Sequence, residues 1–198
     1  MRFDIRLAIV PERCSQRFWQ EMAALEGVYM AFVEIDPKEL QERPFSLFAD
    51  EWALLTAGSV DDCNTMTVSW GAAGTIWGSP SCTAYVRQTR YTKEFMDSQD
   101  TFTLSFFGGE CQEALNLCGK MSGRDGDKIA EAGLTPVDFD GAAGFAEARL
   151  VLKCTKKFVQ FMDPECFEDE AILDRWYSDK NYHSAYIGLI DKAYVRKG

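Results

Sequence analysis

Residues 52–87, WALLTAGSVDDCNTMTVSWGAAGTIWGSPSCTAYVR, decide the fold. Three runs within them, 52–57, 65–70 and 81–87, are rich in Thr, Val, Tyr and Trp, and they are parted by Gly58, Gly71, Gly74, Gly78 and Pro80. β-Branched and aromatic side chains suit a pleated surface, while glycine and proline supply the turns. The spacing therefore predicts strand, turn, strand, turn, strand.

Outward from this centre the same alternation continues. Residues 92–98 fit a short helix, and 101–107 alternate Thr and Ser against Phe and Leu as a half-buried strand does. Residues 110–118 form an amphipathic helix ended by Gly119. Ala148, Leu150, Leu152 and Cys154 alternate with Arg149, Val151 and Lys153, and 184–195 give a last strand, with an acidic surface helix between them over 163–177. Upstream, Asp36 and Pro37 start a helical turn that Pro44 stops. Many strands with few long helices between them predict a mainly β (α+β) antiparallel barrel with peripheral helices rather than a doubly wound sheet.

A chain of 198 residues, 46% hydrophobic and 26% charged, is expected to form one globular domain with a short extension. Lys and Arg total 21 against 31 for Asp and Glu, so the net charge is −10, which argues against nucleic acid as a partner. Seven cysteines form no C-x-x-C pair, and a single histidine, His183, leaves no His-rich metal site. A reducing, cytoplasmic location is the expectation, with no membrane segment. Residues 1–29 read as an N-terminal extension. They are either a genuine helix or an artefact of start-site choice, with Met30 the true start of a domain over 30–198.

No G-x-G-x-x-G follows a strand, Gly119-Lys120 lacks the rest of a phosphate loop, and no G-x-S-x-G accompanies His183. Two stretches remain informative. YVRQTRYTK (85–93) places two arginines and two threonines where a strand gives way to a helix. Forked guanidinium donors, hydroxyls and a helix start are phosphate chemistry; strand-end solvation with capping by Thr92 is the alternative. NTMTVSWG (64–71) alternates small polar with apolar groups and could read a heterocycle along a strand margin, or be an ordinary barrel strand.

The succession WALLTAG (52–58), NTMTVSWGAAGTIWGSP (64–80), YVRQTRYTKEF (85–95), TLSFF (103–107), LCGKMSGRDGDKIAEAGLTPV (117–137), EARLVLKC (147–154) and YHSAYIGLI (182–190) resembles the flavin reductase-like, FMN-binding split-barrel family, in particular its flavoredoxin-type branch. The resemblance implies a six-stranded antiparallel Greek-key split barrel and a homodimer with FMN near the subunit interface. It also implies NADH or NADPH as electron donor. Carried over, it sets Asn64, Met66, Thr67, Val68 and Ser69 along the flavin ring and ribityl chain. Arg87, Thr89, Arg90 and Thr92 fall on the phosphate, with Ser105 near the same cofactor. It places His183 beside the nicotinamide or the flavin, and Trp70, Trp77 and Tyr85 either over the ring or in a dimer core. Arg124, in the turn 122–125, would pair with Asp127 or reach a ligand. The function implied is an NAD(P)H-dependent flavin reductase; the alternative is a flavoredoxin-like electron carrier fed by a redox partner protein. No catalytic base is named, because hydride passage between stacked rings needs none.

Overall fold

The computed structural model describes residues 31–197. The 1–29 extension and the Met30 start lie outside the described residues. Strand β1 (Phe32–Ile35) leads through a 3-10 turn at Pro37–Glu39, whose cap Asp36 accepts from the Lys38 amide at 2.9 Å, into α1 (Pro44–Ser46) and a π-helical turn at Leu47–Glu51. Pro44 thus opens a helical turn instead of stopping one, since at a first helical position its missing N–H costs no hydrogen bond. Then come β2 (Ala53–Gly58), β3 (Cys63–Val68), β4 (Gly71–Ile76), β5 (Ser79–Arg87), α2 (Thr92–Ser98) and β6 (Thr101–Phe106). The chain continues with α3 (Gln112–Lys120), α4 (Lys128–Glu131), the hairpin β7 (Pro136–Asp138) and β8 (Ala143–Phe145), and β9 (Leu150–Phe161). A 3-10 turn at Pro164–Cys166, α5 (Glu170–Trp176) and β10 (His183–Arg196) complete it.

The main sheet runs β3-β2-β6-β9-β10-β5-β4, with β1 added to β10, and its paired neighbours are antiparallel. The path doubles back so that β10 lies between β9 and β5, and the sheet curls without closing, as a Greek-key split barrel does. It carries eight strands rather than six: β1 is a short addition beside β10, and β4 ends the path beside β5. β4 falls in a stretch whose glycines read as a turn. Gly71 is needed because a Cβ there would lie 2.3 Å from the Phe48 ring. The turn proper is Trp77-Gly78, with φ 51° and 73°, the double positive-φ geometry that matches strand twist in a tight hairpin.

Inside the curl, Leu55, Met66, Val86, Phe102, Leu104, Phe106 and Tyr186 form the main core. A second core, with Leu54, Leu115, Phe139, Phe145 and Val151, lies beneath α3 and the β7–β8 hairpin. That second layer corrects the half-buried reading of 101–107. Thr103 and Ser105 face it and are fully buried, Thr103 Oγ1 donating to Ala143 O at 2.6 Å. Gly119 does not end α3; it sits inside it, where a Cβ would be 3.4 Å from Thr67, and the Met121 amide closes the helix on Leu117 O. The expected helix over 163–177 is two pieces, because Asp163 and Asp169 each cap a separate start. None of the described helices is long and apolar enough to cross a membrane.

Candidate functional site

β3 ends the sheet path, so on its outer side the main-chain N–H and C=O groups have no strand partner among the described residues. A cavity of about 260 Å³ opens along this edge, lined by Met66, Thr67, Val68, Ser69 and Trp70 on one side and by Tyr85, Trp176 and His183 on the other. A second, of about 440 Å³, lies where β5 gives way to α2. Thr89, Arg90, Tyr91 and Thr92 form one wall, Lys120, Ser122 and Lys128 another, and Asp179 and Asn181 a third. Arg87 and Arg90 border both cavities. The two stretches singled out in the sequence are thereby joined: 66–69 line the first cavity and 87–92 the second.

The second cavity concentrates cations in an acidic protein. Arg90 donates to Gly119 O at 2.6 Å; burial, and then Arg87, lower its pKa, yet a guanidinium stays charged at neutral pH. Lys128 is only 4% exposed, and among the described residues its ammonium makes a single, long hydrogen bond, to Met121 O at 3.3 Å. Burial pulls its pKa down, Cys118 pulls it up and Arg90 lowers it further. A buried ammonium with one weak partner is stabilised by an anion, and a phosphate group fits that donor set.

Several expected ligands bond elsewhere or lie away from the cavities. Asn64 is buried and donates from Nδ2 to Thr92 Oγ1 at 2.7 Å, lining neither cavity itself. The 122–125 turn closes over it, since a Cβ on Gly123 would lie 2.2 Å from Asn64 Oδ1. Thr89 Oγ1 accepts from Asn181 Nδ2 at 2.8 Å. Ser105 lies apart: it is register partner of Leu54 and Val151, faces the second core and has an unpartnered Oγ. Arg124 does not pair with Asp127, which caps α4 at the Ala130 amide. It stands 4.6 Å over the Tyr91 ring and forms an ion pair with Glu94. Trp77, at the hairpin tip and 58% exposed, lines neither cavity. The sequence gives no sign of Lys128 or Trp176 as site residues, and Lys120 is considered there only as part of a phosphate loop that the pattern excludes. The two lysines flank the 122–125 turn, and Trp176 ends an acidic run that read as surface helix.

His183 meets the Tyr177 hydroxyl through Nδ1 at 2.8 Å and Trp70 at 5.2 Å between ring centres. Burial first, then Arg87 and Arg90, push its pKa down to about 4, so at pH 7 the free protein presents a neutral imidazole. Because this value lies below that of an unfolded histidine, the unfolded chain takes up the proton first as pH falls. The stabilisation is complete above about pH 6.5 and is lost towards pH 4. With one histidine in the chain, a single imidazole NMR signal should titrate near pH 4; a midpoint above 6 would contradict this environment.

An open antiparallel split barrel with a cationic and an aromatic cavity at one sheet edge defines the class. The sequence matches the flavin reductase like domain over residues 45–197, and the chain belongs to the flavin reductase-like family. No curated protein matches the chain. Among solved structures it is similar to an FMN-binding domain of a flavin reductases-like enzyme from Shewanella baltica, with TM-score 0.60, 15% identity, and 83% of this chain and 77% of that chain covered. It is also similar to flavoredoxin of Desulfovibrio vulgaris (TM-score 0.58, 21% identity, 80% and 76%) and to an NADH:FAD oxidoreductase of Streptomyces globisporus (0.54, 17%, 74% of each). At these identities the likeness speaks for the fold.

Proposed function

We propose that this chain binds FMN across the two cavities and is an NAD(P)H-dependent flavin reductase of the cytoplasm. The observation that carries the reading is the shared border. A cationic cavity suited to a phosphate adjoins an aromatic one edged by the outer, unpaired side of β3, in a chain of net charge −10. Bound FMN would accept a hydride from NADH or NADPH and pass the electrons on. Arg90, Lys120 and Lys128 would hold the phosphate, and the outer edge of β3 would offer N–H and C=O groups to the polar rim of the ring. Trp70 and Trp176, edge to face at 5.1 Å and about two-fifths exposed, leave the aromatic cavity open to a donor. The neutral His183, braced by Tyr177, would orient the nicotinamide.

The purified protein should be yellow, and NADH or NADPH should bleach it without oxygen and sustain turnover in air. A yellow protein that neither donor reduces, but a partner reductase does, is the electron carrier instead. His183→Ala should lower the reduction rate at least tenfold while leaving FMN affinity nearly intact; stopped-flow traces matching wild type would remove His183 from the site. The working form is proposed to be a homodimer. Beyond its pairing with β6, β9 continues with Val159 and Phe161 on one face, each about two-fifths exposed, an apolar surface a second copy would cover. Sedimentation of a flavin-loaded monomer would refute this.

A further inference from the structure

The segment 176–183, between α5 and β10, walls both cavities: Trp176 and His183 face the aromatic one, Asp179 and Asn181 the cationic one. The Gln88 amide donates to Tyr182 O at 3.2 Å and Thr89 Oγ1 accepts from Asn181, but one side chain, from the end of β5, reaches three of its residues. Arg87 Nη1 donates to Asn181 O at 3.2 Å and to the Asp179 carboxylate at 3.3 Å, and Nη2 donates to Trp176 O at 3.0 Å. Its guanidinium lies 5.6 Å from the centre of the Tyr177 ring, and the Tyr177 hydroxyl meets His183.

We propose that Arg87 is a positioning residue that fastens the 176–183 wall, and through it Trp176 and the Tyr177–His183 pair, rather than a ligand of the flavin phosphate. The inference rests on the flavin-binding reading and divides its site in two. A guanidinium is a rigid, planar fork, and turning this one towards a phosphate would break its bonds to three residues of a single segment. Its charge is already matched by Asp179, so the cations left for a phosphate are Arg90, Lys120 and Lys128. Removing Arg87 alone would leave Asp179 facing the phosphate and mimic the loss of a ligand. The informative variant is therefore the charge-neutral Arg87→Gln/Asp179→Asn.

Riboflavin has the ring without the phosphate, so it separates the roles. If Arg87 positions the wall, the double variant binds riboflavin and FMN more weakly by the same factor, about tenfold, and their affinity ratio is preserved. If Arg87 is a phosphate ligand, FMN alone weakens and riboflavin does not, which would overturn the proposal; so would unchanged binding of both. In the flavin-free protein, amide exchange over 176–183 should speed up about tenfold in the double variant. Unchanged exchange would also overturn it. A wild-type protein that binds neither flavin would defeat the functional reading, and the exchange measurement would still decide whether Arg87 holds the wall.

Discussion

A Lys128→Met protein is expected to bind FMN more weakly by a factor between about ten and a hundred, and riboflavin as before. The ammonium is buried and has one long hydrogen bond, so in the free protein it is short of acceptors, and a phosphate would provide them. Charge-assisted bonds of this kind are worth about 1.5 to 3 kcal/mol each, and burial protects them from screening by salt. Met keeps most of the length and the apolar character of the stem, so the packing of this buried side chain is little disturbed. Arg90→Gln should act in the same direction and add to it, with a structural component from the lost bond to Gly119 O. Fluorescence titrations with both flavins at pH 7.5 measure the effect. Equal losses for FMN and riboflavin would show that the cationic cavity does not seat the phosphate.

The largest expected stability effect lies in the barrel core. Phe102→Ala should cost about 3 to 5 kcal/mol, because a fully buried ring is removed and its neighbours on β2 and β9 cannot collapse into the space. The ring rests on Gly188 of β10: a Cβ there would meet two Phe102 atoms at 2.7 Å and Cys154 Cβ at 2.9 Å. Gly188→Ala should therefore cost about 1 to 3 kcal/mol by overpacking. The two sites share one volume, so Phe102→Leu combined with Gly188→Ala should lose less than the sum of the single losses. Urea unfolding of the four proteins tests this; strict additivity would mean that Phe102 does not occupy the space above Gly188.

Most strands were legible because their signals are local. Thr, Val and aromatic residues between glycines marked β2, β3 and β5, and α2 was read at its observed limits. What went unread depended on a second layer. Thr103 and Ser105 looked solvent-facing because nothing nearby in sequence shows that α3 and the β7–β8 hairpin cover them. β4 looked like a linker because the demand for Gly71 comes from Phe48, a side chain more than twenty residues earlier.

The site divides in the same way. Composition and spacing alone mark 87–92 as a cationic stretch at a strand-to-helix junction and 66–68 as strand, since each depends only on residues a few positions apart. Only the tertiary structure decides that these two stretches border one another, that Lys128 joins the corner from a separate helix, that Asn64 stands behind it, and that Ser105 faces the second core. It alone commits Arg87 to the 176–183 wall. The physical reason is that a side chain's partners are set by which strands pair across the sheet. Arg87 and His183 are ninety-six residues apart in the chain and directly opposite each other on β5 and β10.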